Sequence, residues 1–251
     1  MRSIAIALQK GGVGKSTTAS CLGSALILKG YRVLFVDLDA QGNLTYSLGA
    51  SDKGPGAMGV LQRPETIKDE IQHTPQGDVL PSSPALAGAD TVLTTTGKEY
   101  RLREALETVE GSYDYCIIDT PPALGITSIN ALTAADGVII PTQADVYALQ
   151  GIGQLYDTVG AVQRYCNPGL KILGILLTRY NGRSTIRREV AEALGDLAEK
   201  MNTRLYETRI RENVALVEAA ARRQNIYQYA PRTNGAADYM AFTEEFLSHE
   251  G

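Results

Sequence analysis

The chain has 251 residues, of which 44% are hydrophobic and 21% are charged, and its formal net charge is −4. This composition is typical of a soluble globular protein, and the length suffices for one large α/β domain or two small ones. The overall charge gives no sign of nucleic-acid binding, and no apolar run reaches the roughly 18 residues that a membrane-spanning helix needs.

The cysteines and the N-terminus indicate the cellular compartment. Cys21, Cys116 and Cys166 are far apart in the sequence and form neither a CxxC pair nor a cluster with histidine. His73 and His249 lie in segments that we expect at the surface, without a metal or catalytic role. The first residues lack the charged leader, apolar stretch and cleavage site of a signal peptide. We therefore expect a cytoplasmic protein with reduced thiols.

Apolar strands alternate with helical patterns along most of the chain. Strands are predicted at 3–9, 31–39, near 78–81, and at 113–122, 136–142 and 170–178. Helices are predicted at 15–29, 99–110, 125–135, 147–165 and 184–200, with Ser184 as the N-cap of the last. The rest of 50–98 is rich in Gly, Pro, Ser and Thr and is predicted as loops and short helices. This order predicts an α/β fold: a single P-loop domain over 1–251, with a mostly parallel twisted sheet and helices on both faces.

A glycine-rich loop, "KGGVGKST" at 10–17, joins the first strand to the first helix. Its glycines let backbone N–H groups turn toward an anion, and the helix N-terminus adds a favourable dipole. Lys15 is placed to reach the β- and γ-phosphates of a nucleotide, Ser16 to coordinate Mg²⁺, and Thr17 to hold the α-phosphate. The usual motif G-x-x-x-x-G-K-[ST] would have glycine at position 9, where this chain has Gln9.

Two apolar strands end in carboxylates. "CIID" ends at Asp119, and "LFVDLD" ends with Asp37 and Asp39. Carboxyl ends of parallel strands lie at one edge of a sheet, where ligands bind. We therefore expect Gln9, Asp39, Asp119 and Thr178 along one rim, with Asp119 in the shell of a Mg²⁺ ion. Asp37 supports either this shell or the loop, or has a purely structural role at the strand end.

Four segments together resemble the ParA/MinD family of ATPases. "KGGVGKST", with Lys10 before the paired glycines, is similar to the family's deviant Walker A loop, which does not require glycine at position 9. "VDLDAQGN" resembles switch I with Ala40 replacing proline, and "YCIIDTPPALG" resembles Walker B and switch II. "PTQADVYALQGIGQL" resembles a further family segment, with Asp145 and Gln150 replacing acids that are usually glutamates. The resemblance spans residues 2–247, and the ParA/Soj partition branch fits best.

This resemblance implies an ATPase that uses ATP and Mg²⁺ and forms an ATP-dependent homodimer. Lys10 would reach the phosphates of the partner's ATP, as an arginine finger does. The implied catalytic residues are Lys10, Lys15 and Asp39, and the implied metal ligands are Ser16, Asp39 and Asp119. The implied nucleotide-binding residues are Lys10, Gly11, Gly12, Val13, Gly14, Lys15, Ser16 and Thr17. The adenine is expected beyond the strand that ends at Thr178, where Arg179 could stack over the base and Asn181 could hydrogen-bond it; the alternative is that "LTRYNGR" is an ordinary polar loop. Hydrolysis would be slow until a ParB-like centromere-binding protein stimulates it.

The branch also implies non-specific DNA binding by the ATP-bound dimer, and therefore association with the nucleoid. Between residues 179 and 232, eleven basic residues face seven acidic ones. Candidate contacts are Arg187, Arg188, Arg209, Arg211, Arg222 and Arg223. The alternative is that many of these arginines are solvated or paired with Glu189, Glu192 or Glu218. In "RIRENVAL", Arg211, Glu212 and Ala215 replace a proline and two arginines of the family pattern.

Other functions remain as alternatives. MinD-like relatives bind membranes through a basic amphipathic C-terminal helix, whereas this tail has Phe242, Phe246 and Leu247 beside acids and no Lys or Arg. We expect these side chains to pack on the domain, without membrane binding. Cys21 and Cys116 do not suit an Fe–S cluster of the nitrogenase iron-protein type. Cobyrinate synthases of the amidotransferase type need a further domain that this chain is too short to hold. A metabolic ligase of the dethiobiotin-synthetase sort remains open.

Overall fold

The computed structural model describes residues 1–182 and 184–249, so the predicted domain span 1–251 includes three residues (183, 250 and 251) outside the described part. Within it lie eight strands: β1 Arg2–Ile6, β2 Val33–Asp37, β3 Gln72–Thr74, β4 Gly77–Leu80, β5 Tyr115–Asp119, β6 Gly137–Thr142, β7 Lys171–Tyr180 and β8 Leu205–Arg211. The α-helices are α1 Lys15–Leu28, α2 Asn43–Ser47, α3 Gly56–Gln62, α4 Ile67–Glu70, α5 Ala89–Val92, α6 Arg101–Glu107, α7 Ile126–Ala134, α8 Ala148–Tyr165, α9 Thr185–Lys200, α10 Val214–Ala221, α11 Ile226–Tyr229 and α12 Asn234–Ser248.

The strands form one sheet in the order β3-β4-β2-β5-β1-β6-β7-β8. Every pair is parallel except β3 and β4, which form an antiparallel hairpin at one edge. The register places Asp37 opposite Asp119 at the carboxyl ends of β2 and β5. The chain therefore brings its two acid-ended strands side by side, next to β1 and the glycine-rich loop.

Both faces of the sheet are buried, because alternate residues of each strand enter different apolar clusters. Ala5, Val36 and Ile118 pack with α3, α6, α7 and α8 on one face. Ile4, Phe35 and others pack with α1 and α12 on the opposite face. This two-sided burial explains why the strands are apolar at every position rather than at every second one. The predicted mostly parallel sheet with helices on both faces is confirmed.

Most elements that the sequence did not predict lie in the C-terminal part, namely β8 and α10 to α12. Helix α2 and the edge strand β3 are also unpredicted. Helix α12 packs against β8 and α1, with Phe242 and Phe246 fully buried and Leu247 partly buried. The expectation that the apolar side chains of the tail pack on the domain is therefore confirmed.

The contact between α1 and β2 leaves no room for a side chain at Gly23. A Cβ there would lie 2.1 Å from Cε1 of Phe35, a ring that is fully buried. We expect Gly23→Ala to lower the free energy of unfolding by about 1–3 kcal/mol, because overpacking outweighs the better helix propensity of alanine. Thermal unfolding would show a midpoint lower by several degrees.

Gly160 supplies the matched control for this substitution. It lies within α8 and is exposed, and a Cβ added there would have no atom within 4 Å. Gly160→Ala is expected to leave the midpoint unchanged or to raise it slightly. Equal destabilisation by the two substitutions would contradict the close α1–β2 contact.

Candidate nucleotide-binding site

The phosphate loop follows β1 and is held open by its glycines. Gly12 and Gly14 have positive φ angles of 75° and 91°, which a side chain would strain. Neighbouring strands fix the backbone between them: the Thr178 hydroxyl donates to the Val13 carbonyl at 2.8 Å, and the Gln143 amide donates to the Gly12 carbonyl at 2.9 Å. The expectation that Thr178 lies at this rim is met. Contacts within the protein thus hold the shape of the loop.

Lys15, the first residue of α1, is a buried cation at the base of this loop. Its Nζ donates to the Lys10 carbonyl at 2.9 Å. Burial lowers the pKa of Lys15, and the nearby carboxylates of Asp119 and Asp39 partly offset that effect. An ammonium group held out of water in this way gains from a nearby anion, so its placement suits a phosphate ligand.

Asp119 is fully buried, and neither of its carboxylate oxygens has a hydrogen-bond partner among the described residues. Burial raises its pKa well above the usual range, and the adjacent Asp37 raises it further, while Ser16 and Lys15 act in the opposite direction. An orphaned buried carboxylate beside a hydroxyl is the donor set that Mg²⁺ prefers in phosphate-binding sites. The residues present therefore fit a magnesium ion.

Asp37 differs from Asp119 because its carboxylate is already occupied. Its oxygens accept hydrogen bonds from the Asp39 amide at 3.1 Å and from the Thr45 amide and hydroxyl at 2.8 and 2.7 Å. Burial is the main cause that raises the pKa of Asp37 to about 6, although these bonds oppose it. Of the roles predicted for Asp37, its contacts favour support of the loop, together with helix α2.

Asp39 lies at the turn between β2 and α2, where it faces the loop. It is 8% exposed, and its carboxylate accepts the Gln41 amide at 3.0 Å. No group of three or more His, Cys, Asp or Glu side chains in residues 1–182 and 184–249 is arranged to hold a metal alone. A magnesium ion at Ser16, Asp39 and Asp119 would therefore need phosphate oxygens and water to complete its shell.

Lys10 points away from the phosphate cavity of its own chain. Its ammonium group forms a short contact with the Asp145 carboxylate, in the loop between β6 and α8, and lies 6.0 Å from the centre of the Tyr147 ring. The Lys10 side chain remains 27% exposed. Lys10 thus stands at the surface beside the loop, not among the residues that line the cavity.

A cavity of about 570 Å³ extends from the phosphate loop to α10 and α11. At the loop it is lined by Gly11, Gly12, Gly14, Lys15, Ser16, Thr17 and Asp39, and at the end of β7 by Arg179. The far wall consists of Leu216, Val217, Ala219, Ala220, Ala221, Gln224 and Ile226, which the sequence did not indicate as site residues. Asn181 and Val13 are not among the lining residues in the described part of the chain. An apolar wall opposite a phosphate loop suits a nucleobase.

Comparison with known proteins identifies the family. Residues 1–172 match the AAA domain family. The chain is 43% identical to the sporulation initiation inhibitor protein Soj of Bacillus subtilis, with 98% of each chain covered. It is 37% identical to the chromosome partitioning protein ParA of Caulobacter vibrioides, with 100% of this chain and 95% of the relative covered. The chain belongs to the ParA/Soj family of P-loop ATPases.

The fold also matches solved structures. One is a Mycobacterium smegmatis protein described as cobyrinic acid a,c-diamide synthase, crystallised with ADP and magnesium. It superposes with a TM-score of 0.83 at 37% identity, and the match covers 100% of this chain and 95% of that one. The resemblance to the ParA/MinD ATPases that the sequence motifs indicated is confirmed over the full chain.

The arginines predicted to contact DNA in this ParA/Soj chain fall into three groups. Arg209, Arg222 and Arg223 lie over the rings of Tyr180, Tyr229 and Tyr46, at 4.6, 5.6 and 4.6 Å. Arg211 forms a bidentate pair with Asp238, at 2.6 to 3.2 Å. Arg187 and Arg188 lie near the start of α9. The Arg187 guanidinium donates to the Arg179 carbonyl, and that of Arg188 donates to the Thr185 hydroxyl. None of the six pairs with Glu189, Glu192 or Glu218 in the described residues.

Two structural observations concern membrane-spanning helices and the cysteines. In the part of the chain that the structure describes, no helix is both long and apolar enough to cross a membrane. Cys21 lines the cavity and Cys116 lies in β5; both thiols are buried, which raises their pKa. This raised pKa disfavours the thiolate form that a nucleophilic cysteine needs.

Proposed function

We propose that this chain is an ATP-dependent, dimerising ATPase that partitions DNA, and that its ATP-bound dimer binds DNA without sequence preference. One observation carries this function: Lys10 stands outside its own phosphate cavity, partly exposed and paired with Asp145. A cation placed there contributes nothing to its own nucleotide. It is free to serve the nucleotide of a second copy that closes over this face.

ATP and Mg²⁺ bind at the loop. Backbone amides of Gly11 to Gly14 and the Lys15 ammonium group hold the phosphates, and Thr17 contacts the α-phosphate. Ser16, Asp39 and Asp119 would hold the shell of a magnesium ion, which would neutralise charge on the phosphates. Arg179 borders the adenine, together with the apolar wall formed by α10. The contact of Asn181 with the adenine remains a prediction.

Two ATP-loaded copies face each other across this surface. Val146 and Tyr147 beside Lys10 are about two-thirds exposed, and Leu124 after β5 is half exposed, so apolar area is available for burial. Each Lys10 leaves Asp145 and reaches the phosphates of the partner's ATP, which offsets the repulsion between two polyphosphates. ATP binding and pairing thereby become one event.

Hydrolysis is slow in the free dimer. Asp39 positions the attacking water, but an aspartate carboxylate is a weak base for that task. Lys10 stabilises the charge at the transferring phosphoryl group from the partner side. A ParB-like partner accelerates the step, and hydrolysis then dissolves the dimer and releases DNA, so the nucleotide acts as a timer.

The test is sedimentation of the slow-hydrolysing Asp39→Ala variant with ADP or ATP, with and without duplex DNA of unrelated sequence. We expect a dimer only with ATP and Mg²⁺, and loading of that dimer onto DNA. Raising salt from about 50 to 200 mM should weaken the DNA complex at least about 100-fold, because arginines displace counterions from phosphates. Absent or salt-independent DNA binding would contradict DNA partitioning, and ATP dimers that bind anionic vesicles instead would favour a MinD-like function.

The name of the Mycobacterium smegmatis structure suggests a second candidate, an amide-forming synthase. Such a reaction in the amidotransferase manner needs a reactive thiolate, whereas burial raises the pKa of Cys21, the cysteine that lines the cavity. Stimulation of ATP hydrolysis by a small carboxylic acid, rather than by DNA and a partner protein, would favour that candidate or a related metabolic ligase.

A further inference from the structure

The residue Tyr46 lies between the nucleotide cavity and an exposed arginine. It belongs to α2, directly after the turn that carries Asp39, and its ring lines the 570 Å³ cavity. Tyr46 also lines a second cavity of about 530 Å³, which Arg223 borders as well. Tyr46 therefore lines both cavities, as Gln41 and Asn43 also do.

Arg223 lies against the Tyr46 ring. Its guanidinium carbon lies 4.6 Å from the centre of the Tyr46 ring, within the range of cation–π attraction. The Tyr46 hydroxyl donates to the Ala221 carbonyl at 3.4 Å, which links the ring to the end of α10. Arg223 forms no ion pair in residues 1–182 and 184–249, in contrast to Arg211 with its Asp238 partner.

The backbone at Arg223 is fixed in an unusual conformation. Its φ of 55° is in the left-handed region, which costs conformational free energy for any residue except glycine. Buried Gln76 holds this turn: its amide donates to the Arg223 carbonyl, and its carbonyl accepts the Asn225 amide and side chain at 3.2 and 2.7 Å. A strained turn that keeps an arginine at the surface suggests a role for that side chain.

A series of neighbouring residues links Arg223 to Asp119, which is a proposed magnesium ligand. Asp119 lies beside Asp37 in the sheet register, and Asp37 holds the Thr45 amide and hydroxyl. Thr45 is the neighbour of Tyr46 in α2, and Tyr46 carries Arg223. Binding of Mg²⁺ and ATP would change the charge around Asp119 and Asp37. Because Asp37 holds Thr45, this change would shift helix α2 and, with it, the Tyr46 ring.

Arg222 extends the same surface. Its guanidinium carbon lies 5.6 Å from the ring centre of Tyr229, whose hydroxyl donates to Glu218 at 3.1 Å. Guanidinium groups stacked on rings keep their N–H edges free and lose little entropy when they bind phosphate. The other charges at the second cavity, Asp52 and Lys53, cancel. The surface is therefore net basic.

We propose that Tyr46 couples the nucleotide site to a phosphate-binding surface formed by Arg222 and Arg223, so that ATP sets the position of the Arg223 guanidinium for contact with the DNA backbone. This rests on the proposed function, of which it is a regulatory part. Tyr46 is a positioning residue here, and Arg223 is the residue that contacts the nucleic acid.

The test compares the affinity of wild type and variants for a duplex of random sequence, at saturating Mg-ATP or Mg-ADP, by fluorescence anisotropy over a range of salt. Arg223→Gly removes the guanidinium group while relieving the backbone, because glycine adopts the left-handed region freely. We expect about 10-fold weaker binding in ATP, and a log–log salt slope smaller by about 2, since a dimer loses two contacts. Binding in ADP should be unchanged.

Arg164→Ala is the matched control. Arg164 also lies over a tyrosine, Tyr165, at 5.9 Å, but at the far end of α8. It is expected to bind DNA as wild type does. Equal weakening by Arg164→Ala, or unweakened binding by Arg223→Gly, would overturn the inference while leaving DNA partitioning intact. Absence of ATP-dependent DNA binding by wild type itself would instead overturn the proposed function, and this inference with it.

Tyr46 variants test the coupling. Because Tyr46 also lines the nucleotide cavity, occupancy is verified first with a fluorescent ATP analogue. Tyr46→Phe keeps the ring and should keep the ATP-to-ADP affinity ratio for DNA, whereas Tyr46→Leu should lower that ratio about as much as Arg223→Gly. The double variant Tyr46→Leu/Arg223→Gly should be no weaker than either single one, because the two residues act through one contact. Additive losses, or an unchanged ratio in Tyr46→Leu, would overturn the coupling.

Discussion

Replacing Lys10 with alanine is expected to abolish ATP-dependent dimer formation and to lower ATP turnover by about 10³-fold, the range of effect of a cation supplied in trans. The ammonium group of Lys10 is paired with Asp145 outside its own cavity, so its loss removes nothing from phosphate binding within the subunit. ATP affinity of the single subunit should therefore change little. Sedimentation and steady-state phosphate release, with ATP binding measured separately, distinguish these effects.

Asp145→Asn supplies the control for Lys10. This substitution removes the carboxylate of the ion pair and leaves the Lys10 ammonium group in place. The Tyr147 amide, which donates a hydrogen bond to the Asp145 side chain at 3.0 Å, can donate to the asparagine oxygen instead. Dimers should form with ATP at the same or a lower protein concentration than in wild type, because Lys10 no longer has to leave a carboxylate.

Normal pairing and turnover by Lys10→Ala would mean that the lysine has no role in trans. The chain would then be an ordinary nucleotide-binding domain.

The sequence predicts the central strands well because both faces of the sheet are buried. Burial on both sides makes β1, β2, β5, β6 and β7 continuous apolar runs that end in recognisable residues. The edge strands lack this signal. In β8, "LYETRIR", charged residues face solvent between buried ones, and β3 has only three polar residues. Helix α10, "VALVEAAA", is apolar on all sides and so shows no helical periodicity.

The site likewise has residues that the sequence predicts and residues that it does not. Motif residues such as Lys15 and Asp119 are local signals, since strand ends and glycine turns place them. The contact of Lys10 with Asp145 joins residues far apart in the chain, and only the pairing of β1 with β6 brings them together. Similarly, the apolar wall at α10 depends on how the C-terminal segment folds back over α2. Neither juxtaposition has a signature within one segment.

Replacing Asp119 with asparagine is expected to stabilise the protein without ligand and to remove its response to magnesium. The carboxylate is buried without a hydrogen-bond partner among the described residues and lies beside Asp37, and these causes raise its pKa, so its ionised form costs free energy at pH 7. A neutral side chain of the same shape removes that cost. The unfolding midpoint should rise by about 5 °C, from about 2 kcal/mol at the 2–4 °C per kcal/mol expected for a chain of this size.

Asp37→Asn is the informative comparison. The Asp37 carboxylate accepts three hydrogen bonds, and an asparagine amide has only one oxygen to accept them. The substitution should lower the midpoint.

The direction in which stability changes with pH follows from the raised pKa values. Folded protein holds protons that unfolded protein releases, so stability without ligand falls as pH rises from about 4 toward the pKa of about 6 at Asp37. Scanning calorimetry of wild type and both variants at pH 5 and pH 7.5 measures the midpoints and their change with pH. Runs with ATP in Mg²⁺ or in chelator measure the response to magnesium. If Asp119→Asn instead destabilises the ligand-free protein, or keeps the extra stabilisation by Mg²⁺, Asp119 is a structural residue and the metal shell lies elsewhere.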